Sequence, residues 1–119
     1  MPYLSVMEQL VNRIPGAVGA IMVDWEGEAV QEFCHCDPYE IRFLAAHQAI
    51  ILARIRELQC NKGEKNNIED FVLTTSGAHL IIGSIDSGYS LILNIDRSCP
   101  VRQALHYFRD AVAELRKEI

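Results

Sequence analysis

Apolar residues recur along this chain with a period that changes several times, and each change marks an element. Leu4, Met7, Leu10, Val11 and Ile14 share one face at helical spacing, so residues 4–13 are predicted to form a helix. Pro15-Gly16 closes it, because proline disfavours helical backbone at the residue before it. The runs AVGAIMVD (17–24) and EAVQEFC (28–34) read as strands, and the short loop Trp25-Glu26-Gly27 between them makes a hairpin. Asp37 can cap free helical amides and Pro38 fits the first helical position, so the longest helix opens here and is expected to reach Cys60, before Lys62-Gly63.

Three further strands are predicted over 68–75, 78–85 and 89–95, separated by Ser76-Gly77 and Asp86-Ser87-Gly88. Ser98 and Pro100 start a last helix with Val101, Ala104, Leu105, Phe108, Val112 and Leu115 on one face. The order αββαβββα belongs to the α/β (α+β) class. Hairpin links make the sheet mostly antiparallel, and the long helix must cross over between its two parts. We expect five strands, with the terminal helices on one face and the central helix on the other.

The 119 residues form a single domain, 1–119. Half of them are apolar and 23% are charged, which favours folding over disorder. The net charge of −5 argues against nucleic acid, whose phosphates require basic patches. The longest apolar candidate, 45–55, is interrupted by His47, Gln48 and Arg54, so a membrane role has no support. Without a secretory signal the expected location is cytoplasmic, where Cys34, Cys36, Cys60 and Cys99 are read as free thiols.

The central helix has two apolar faces. Ile41, Leu44, Gln48, Ile51, Ile55 and Leu58 form one stripe, enough to bury it against the sheet. Tyr39, Phe43, Ala46, Ile50 and Ala53 form a second on roughly the opposite side, flanked by His47 and Arg54. That stripe is either core covered by a terminal helix or an interface. An interface is the better reading, because exposed apolar patches mark association sites and twofold homodimers are the commonest arrangement. We assign Phe43, His47, Ile50 and Arg54 to the twofold contact, and Tyr39, Arg42, Ala46, Ala49 and Ala53 to an outward, partner-binding surface.

The strand at 68–75 adds a second seam. It is placed at a sheet edge and is apolar through Phe71, Val72 and Leu73, without the proline or lysine that protects edges. Two copies can pair antiparallel through Ile68, Asp70, Phe71, Val72, Leu73 and Thr74 to make one continuous sheet. Glu69 and Asp70 would restrain further pairing.

These residues resemble the Roadblock / dynein light chain domain. The resemblance rests on the element order, on the opening LVNRIPGAVGAIMVDWEGEAV, with its Pro15-Gly16, Val18-Gly19 and Asp24-to-Gly27 turn, and on IEDFVLTTSGAHLIIGSI. It covers nearly the whole chain. The resemblance implies homodimers or heterodimers with a ten-stranded sheet and adjacent central helices. It also implies regulation of small Ras-like GTPases, as in bacterial motility and polarity, or adaptor roles, with no catalytic residue to carry over and no cofactor.

Sharper chemistry has weaker support. Cys34, His35 and Cys36 could offer soft metal ligands or a redox-sensitive thiol, with a helix N-terminus lowering the Cys36 pKa. Cys-x-Cys is not the usual zinc knuckle, however, and no second pair lies nearby. Ser76, Ser84, Ser87 and Ser90 lack a nucleophile-elbow sequence. His79, inside a strand, reads as a partly buried polar or interface residue rather than a base. Residues 16–20 lack the Gly-Lys-Ser/Thr of a phosphate loop. Trp25, at a turn tip, is either a partner anchor or packed over its hairpin. The chain is therefore expected to bind rather than catalyse, with a GTPase-independent adaptor as the alternative.

Overall fold

Turn chemistry sets the path of the chain. Gly27 adopts φ +85°, a left-handed conformation suited to glycine, and its N–H donates to the Asp24 carbonyl at 2.9 Å. The Asp24 carboxylate accepts from the Glu26 and Glu28 amides at 2.9 and 3.0 Å, which fixes the first hairpin. At the next tight turn Thr75 Oγ1 accepts from the Gly77 and Ala78 amides. At the last, the Asp86 carboxylate accepts from Gly88 and Tyr89.

The computed structural model describes residues 2–37, 39–42, 44, 47, 50, 51, 54, 69–86 and 88–118. Its elements are α1 (Pro2–Arg13), β1 (Ala17–Asp24), β2 (Ala29–Cys34), β3 (Asp70–Thr74), β4 (Ala78–Ser84), β5 (Tyr89–Asp96) and α3 (Val101–Glu118). Between β2 and β3 lies the central helix α2, described at residues 39–42, 44, 47, 50, 51 and 54. The strands form one sheet in the order β2-β1-β5-β4-β3, and every neighbouring pair is antiparallel. The order αββαβββα holds, and β3 occupies the expected edge.

Alternation along the strands divides the core into two layers. Ala20, Met22, Ile81, Leu91, Leu93 and Ile95 face α1 and α3, which contribute Met7, Leu10, Val11 and Ile14, and Ala104, Phe108, Ala111, Val112 and Leu115. Ile21, Val23, Leu80, Ile82 and Ile92 point the other way and meet Ile41 of α2, with Leu44, Phe71, Cys34 and Cys36 at the margin. The terminal helices therefore share one face and α2 lies on the other.

Two glycines permit close approach. A Cβ on Gly19 would stand 2.4 Å from Cys34 Cβ and 2.8 Å from Ile41 Cδ1, so the missing side chain lets α2 settle on the sheet. A Cβ on Gly83 would stand 2.6 Å from the Phe108 ring. At the chain's two ends, the Tyr3 hydroxyl donates to the Glu118 carbonyl at 3.3 Å, so α1 and α3 lie side by side.

One expectation for the buried stripe is corrected. Ile41 is 2% exposed and Leu44 half-buried, but Ile51 is 40% exposed. Ile51 lies about 80° round the helix from Ile41 and about 10 Å beyond Leu44 along the axis, on the flank of the buried face. Gln48, Ile55 and Leu58 lie outside the described residues, as do the expected helix end and Ile68.

Candidate protein-interaction surface

The start of α2 is built from its own sequence and from β2. Asp37 Oδ1 accepts from the Tyr39 amide at 3.0 Å, and its carbonyl accepts from the Glu40 amide at 3.1 Å, so Asp37 caps the helix as expected. Arg42 reaches across to Glu32 of β2. Its Nε donates to the two carboxylate oxygens at 2.9 and 2.7 Å, and its Nη2 also pairs with Oε1. The carboxylate raises the Arg42 pKa through this hydrogen bond and its charge. Arg42, expected on the outward surface, thus holds the helix to the sheet edge with its side chain still more than half exposed.

Ile50 stands nine residues from Ile41, which at about 100° per residue is the opposite side of the helix. Its 60% exposure fits that position, as does the 73% exposure of Tyr39. His47 and Arg54 are exposed on the same side. Phe43, Ala46, Ala49 and Ala53, the other members of the two predicted surfaces, lie outside the described residues.

The β3 edge carries its exposed apolar residues on both faces. Val72 and Leu73 are each 37% exposed, while Phe71 is half-buried against the α2 layer. Asp70 turns toward α3, where Arg109 Nε and Nη2 donate to its carboxylate at 3.0 and 3.2 Å. The same contact raises the Arg109 pKa, first through the hydrogen bond and then through the charge. Thr74 is tied to β4. Its hydroxyl lies 2.8 Å from His79 Nδ1, and His79 Nε2 lies 3.1 Å from the Arg97 carbonyl. A carbonyl can only accept, so Nε2 carries a proton, and in the neutral ring Nδ1 accepts from the Thr74 hydroxyl. With both ring nitrogens engaged, His79 is a cross-strand tie and not a base awaiting a substrate.

Neither Glu32 nor Arg109 was legible as part of this surface. Glu32 acts across ten residues, from β2 onto α2, and Arg109 across 39, from α3 onto β3, so neither pair has a helical or hairpin spacing that would reveal it.

The cysteine segment departs from its expectation. Cys34 Sγ donates to the Cys36 carbonyl at 3.2 Å. The Cys36 thiol is pushed up to about 11, first by burial, then by the hydrogen bond and charge of Cys34. Burial beside the α2 layer outweighs any help from the helix N-terminus, so a thiolate at neutral pH is disfavoured. His35 is exposed, its ring edge-on to Phe33 with centroids 5.3 Å apart. Among the described residues, no group of three or more His, Cys, Asp or Glu side chains is placed to hold a metal ion. Also among them, no helix is long and apolar enough to cross a membrane.

Trp25 resolves in favour of exposure. It is 77% exposed at the tip of the first hairpin and does not fold back over it.

Solved structures share this architecture. A Roadblock/LC7 domain from Streptomyces avermitilis is 18% identical and superposes with a TM-score of 0.86, over 97% of this chain and 95% of that one. The gliding protein MglB from Thermus thermophilus is 19% identical with a TM-score of 0.85, over 98% and 87% of the two chains. An MglB in a tetrameric arrangement is 20% identical with a TM-score of 0.84, over 98% and 88%. No protein-family model matches the sequence, and no curated protein matches it. The fold is that of Roadblock/LC7 domains.

Proposed function

We propose that this chain, built on the Roadblock/LC7 fold, is a non-catalytic cytoplasmic module that dimerises and presents its α2 surface to a small Ras-like GTPase. The observation that carries the reading is Ile50, 60% exposed on the side of α2 opposite the buried Ile41. A crossover helix in a small monomer gains nothing from an isoleucine there, whereas a twofold neighbour would cover it. Phe43, His47 and Arg54 join Ile50 in that contact. The edge strand, with Ile68 and Asp70 through Thr74, supplies the second seam. Tyr39, Ala46, Ala49, Ala53 and the Glu32-bound Arg42 form the outward surface for the partner.

Self-association draws support from the tetrameric arrangement of one solved MglB. The GTPase rests on the family resemblance alone. A second reading, an adaptor with no nucleotide-linked partner, uses the same surfaces.

Light scattering at micromolar concentration tests the dimer, and Ile50→Glu is expected to shift it to monomer while leaving the circular dichroism spectrum unchanged. A wild-type monomer would sink the reading. Capture of Ras-like GTPases loaded with GDP or a GTP analogue from the source organism then separates the two roles. Retention of one nucleotide state supports the regulator, and retention of neither leaves the adaptor.

A further inference from the structure

The first hairpin ends in Asp24-Trp25-Glu26-Gly27-Glu28, a tip that neither the core nor the surfaces assigned above use. Its backbone is fixed from within. The Asp24 amide donates to the Glu28 carbonyl at 2.9 Å, and the Gly27 amide donates to the Asp24 carbonyl at 2.9 Å. The Asp24 carboxylate holds the Glu26 and Glu28 amides, and Gly27 supplies the left-handed residue of the turn. Directly below, Met22 pairs with Gln31 and Val23 with Ala29, which leaves Val30 as the extra residue of a bulge. A bulge bends its strand and raises the local twist.

Trp25, the chain's one tryptophan, stands 77% exposed on this braced turn. A lone exposed apolar side chain is ordinary, but its setting here is not. Glu26 and Glu28 are both exposed, and among the described residues neither takes part in an ion pair. Asp24 lies opposite Tyr89 of β5, whose amide is held by Asp86, so a further carboxylate stands on the adjoining turn. Arg116 reaches that turn, but it donates to the Ile85 and Ser84 carbonyls at 2.6 and 3.3 Å and is committed to the backbone. The indole is thus the apolar centre of a negatively charged tip, in a chain of net charge −5.

We propose that this tip docks a basic segment of a partner protein, with an arginine of that segment stacked on Trp25 and its neighbouring cations paired with Glu26 and Glu28. The indole face attracts a guanidinium through its ring quadrupole, more strongly than a tyrosine or phenylalanine ring does. The carboxylates beside it draw in a basic chain and repel an acidic one. A turn held by its own hydrogen bonds loses little freedom on binding, and tryptophan is among the residues that most often dominate an interface. The site uses none of the residues assigned to the α2 surface or to the β3 edge. It belongs to the β2-β1 side of the sheet, with β5 and β4 between it and β3, so it does not depend on dimerisation.

Trp25 is its own reporter, since no other tryptophan emits. The probe is a peptide of alternating glycine and arginine, added in salt of about 0.1 M, where surface charges act over only about 10 Å. It is expected to shift the Trp25 emission saturably and to move the backbone amide resonances of the hairpin tip, whereas a glycine–glutamate peptide does neither. Trp25→Ala, with its amide spectrum otherwise that of the folded wild type, is expected to weaken binding at least about fivefold by calorimetry, and Trp25→Phe to weaken it less. Glu26→Gln combined with Glu28→Gln is expected to cost about threefold or more. Asp110→Asn combined with Glu114→Gln makes the same change of net charge on α3 and is expected to stay within about twofold of wild type. Unchanged Trp25 emission, resonance shifts centred on α2 or α3, or a Trp25→Ala variant that binds as the wild type does would each overturn the proposal. These readings are the same whether light scattering finds a monomer or a dimer.

Discussion

Arg109 of α3 grips Asp70 of the edge strand with two N–H groups at 3.0 and 3.2 Å, joining residues 39 positions apart. The pair fastens β3 to the helix that backs it. Arg109 is 60% exposed and Asp70 16%, so solvent screens much of the attraction. Arg109→Ala is expected to lower stability by only about 0.5–1 kcal/mol, as read from the urea midpoint. A loss beyond about 2 kcal/mol would show that Arg109 does more than this.

The two crowded glycines make a sharper test. Gly19→Ala must push Cys34 or Ile41 aside, since its Cβ would lie 2.4 and 2.8 Å from their side chains. Overpacking of this kind costs about 1–3 kcal/mol. Gly77 has nothing within 4 Å of the equivalent position, so Gly77→Ala is expected to stay within about 0.5 kcal/mol of wild type. Thermal melts of the two variants side by side check the contrast.

Phe108 is 0% exposed and fills the space above Gly83. Phe108→Ala leaves a cavity between α3 and β4 that the sheet cannot close. The expected loss is about 3–5 kcal/mol, measured by chemical denaturation.

Cys36 predicts a pH signature. Its thiol titrates at about 11 in the fold against 9.0 when unperturbed, burial being the main cause. The folded value is raised, so the stability linked to this group is fully present below pH 9 and is lost as pH climbs from about 9 toward 11. Alkylation by iodoacetamide at pH 8 should be between about tenfold and a hundredfold slower in the folded protein than in urea, because the thiolate is the nucleophile. Equal rates in both states would contradict the buried placement.

Trp25, 77% exposed, holds nothing together. Trp25→Ala is expected to change stability by no more than about 0.5 kcal/mol in a melt.

Much of this architecture was legible because local signals agreed with one another. Asp37 caps α2, the turn residues stand where strands change direction, and the nearly unbroken apolar run 17–24 matches the burial of β1 on both faces. Strand order followed from hairpin connectivity and the long crossover, which leaves β3 at an edge. What escaped was chemistry that depends on tertiary neighbours. The Glu32–Arg42 and Asp70–Arg109 pairs have no sequence spacing to betray them. Ile51 kept helical periodicity yet stands on the flank of its stripe. Cys36 sits at a helix start, a place that ordinarily favours a thiolate, but its depth beside Cys34 decides the sign.

The hydrogen bond from Tyr3 to the Glu118 carbonyl has a practical corollary. Tyr3 near the start of α1 and Glu118 at the end of α3 thus lie together on the α1/α3 side, with the sheet between them and α2. A fluorescent protein, a surface tether or a neighbouring domain joined at either extremity would therefore extend away from the α2 surface and leave it accessible. The same adjacency suits circular permutation: a short linker joining the two extremities would permit new ones to be opened at Ser76-Gly77, without crossing the face on which α2 lies.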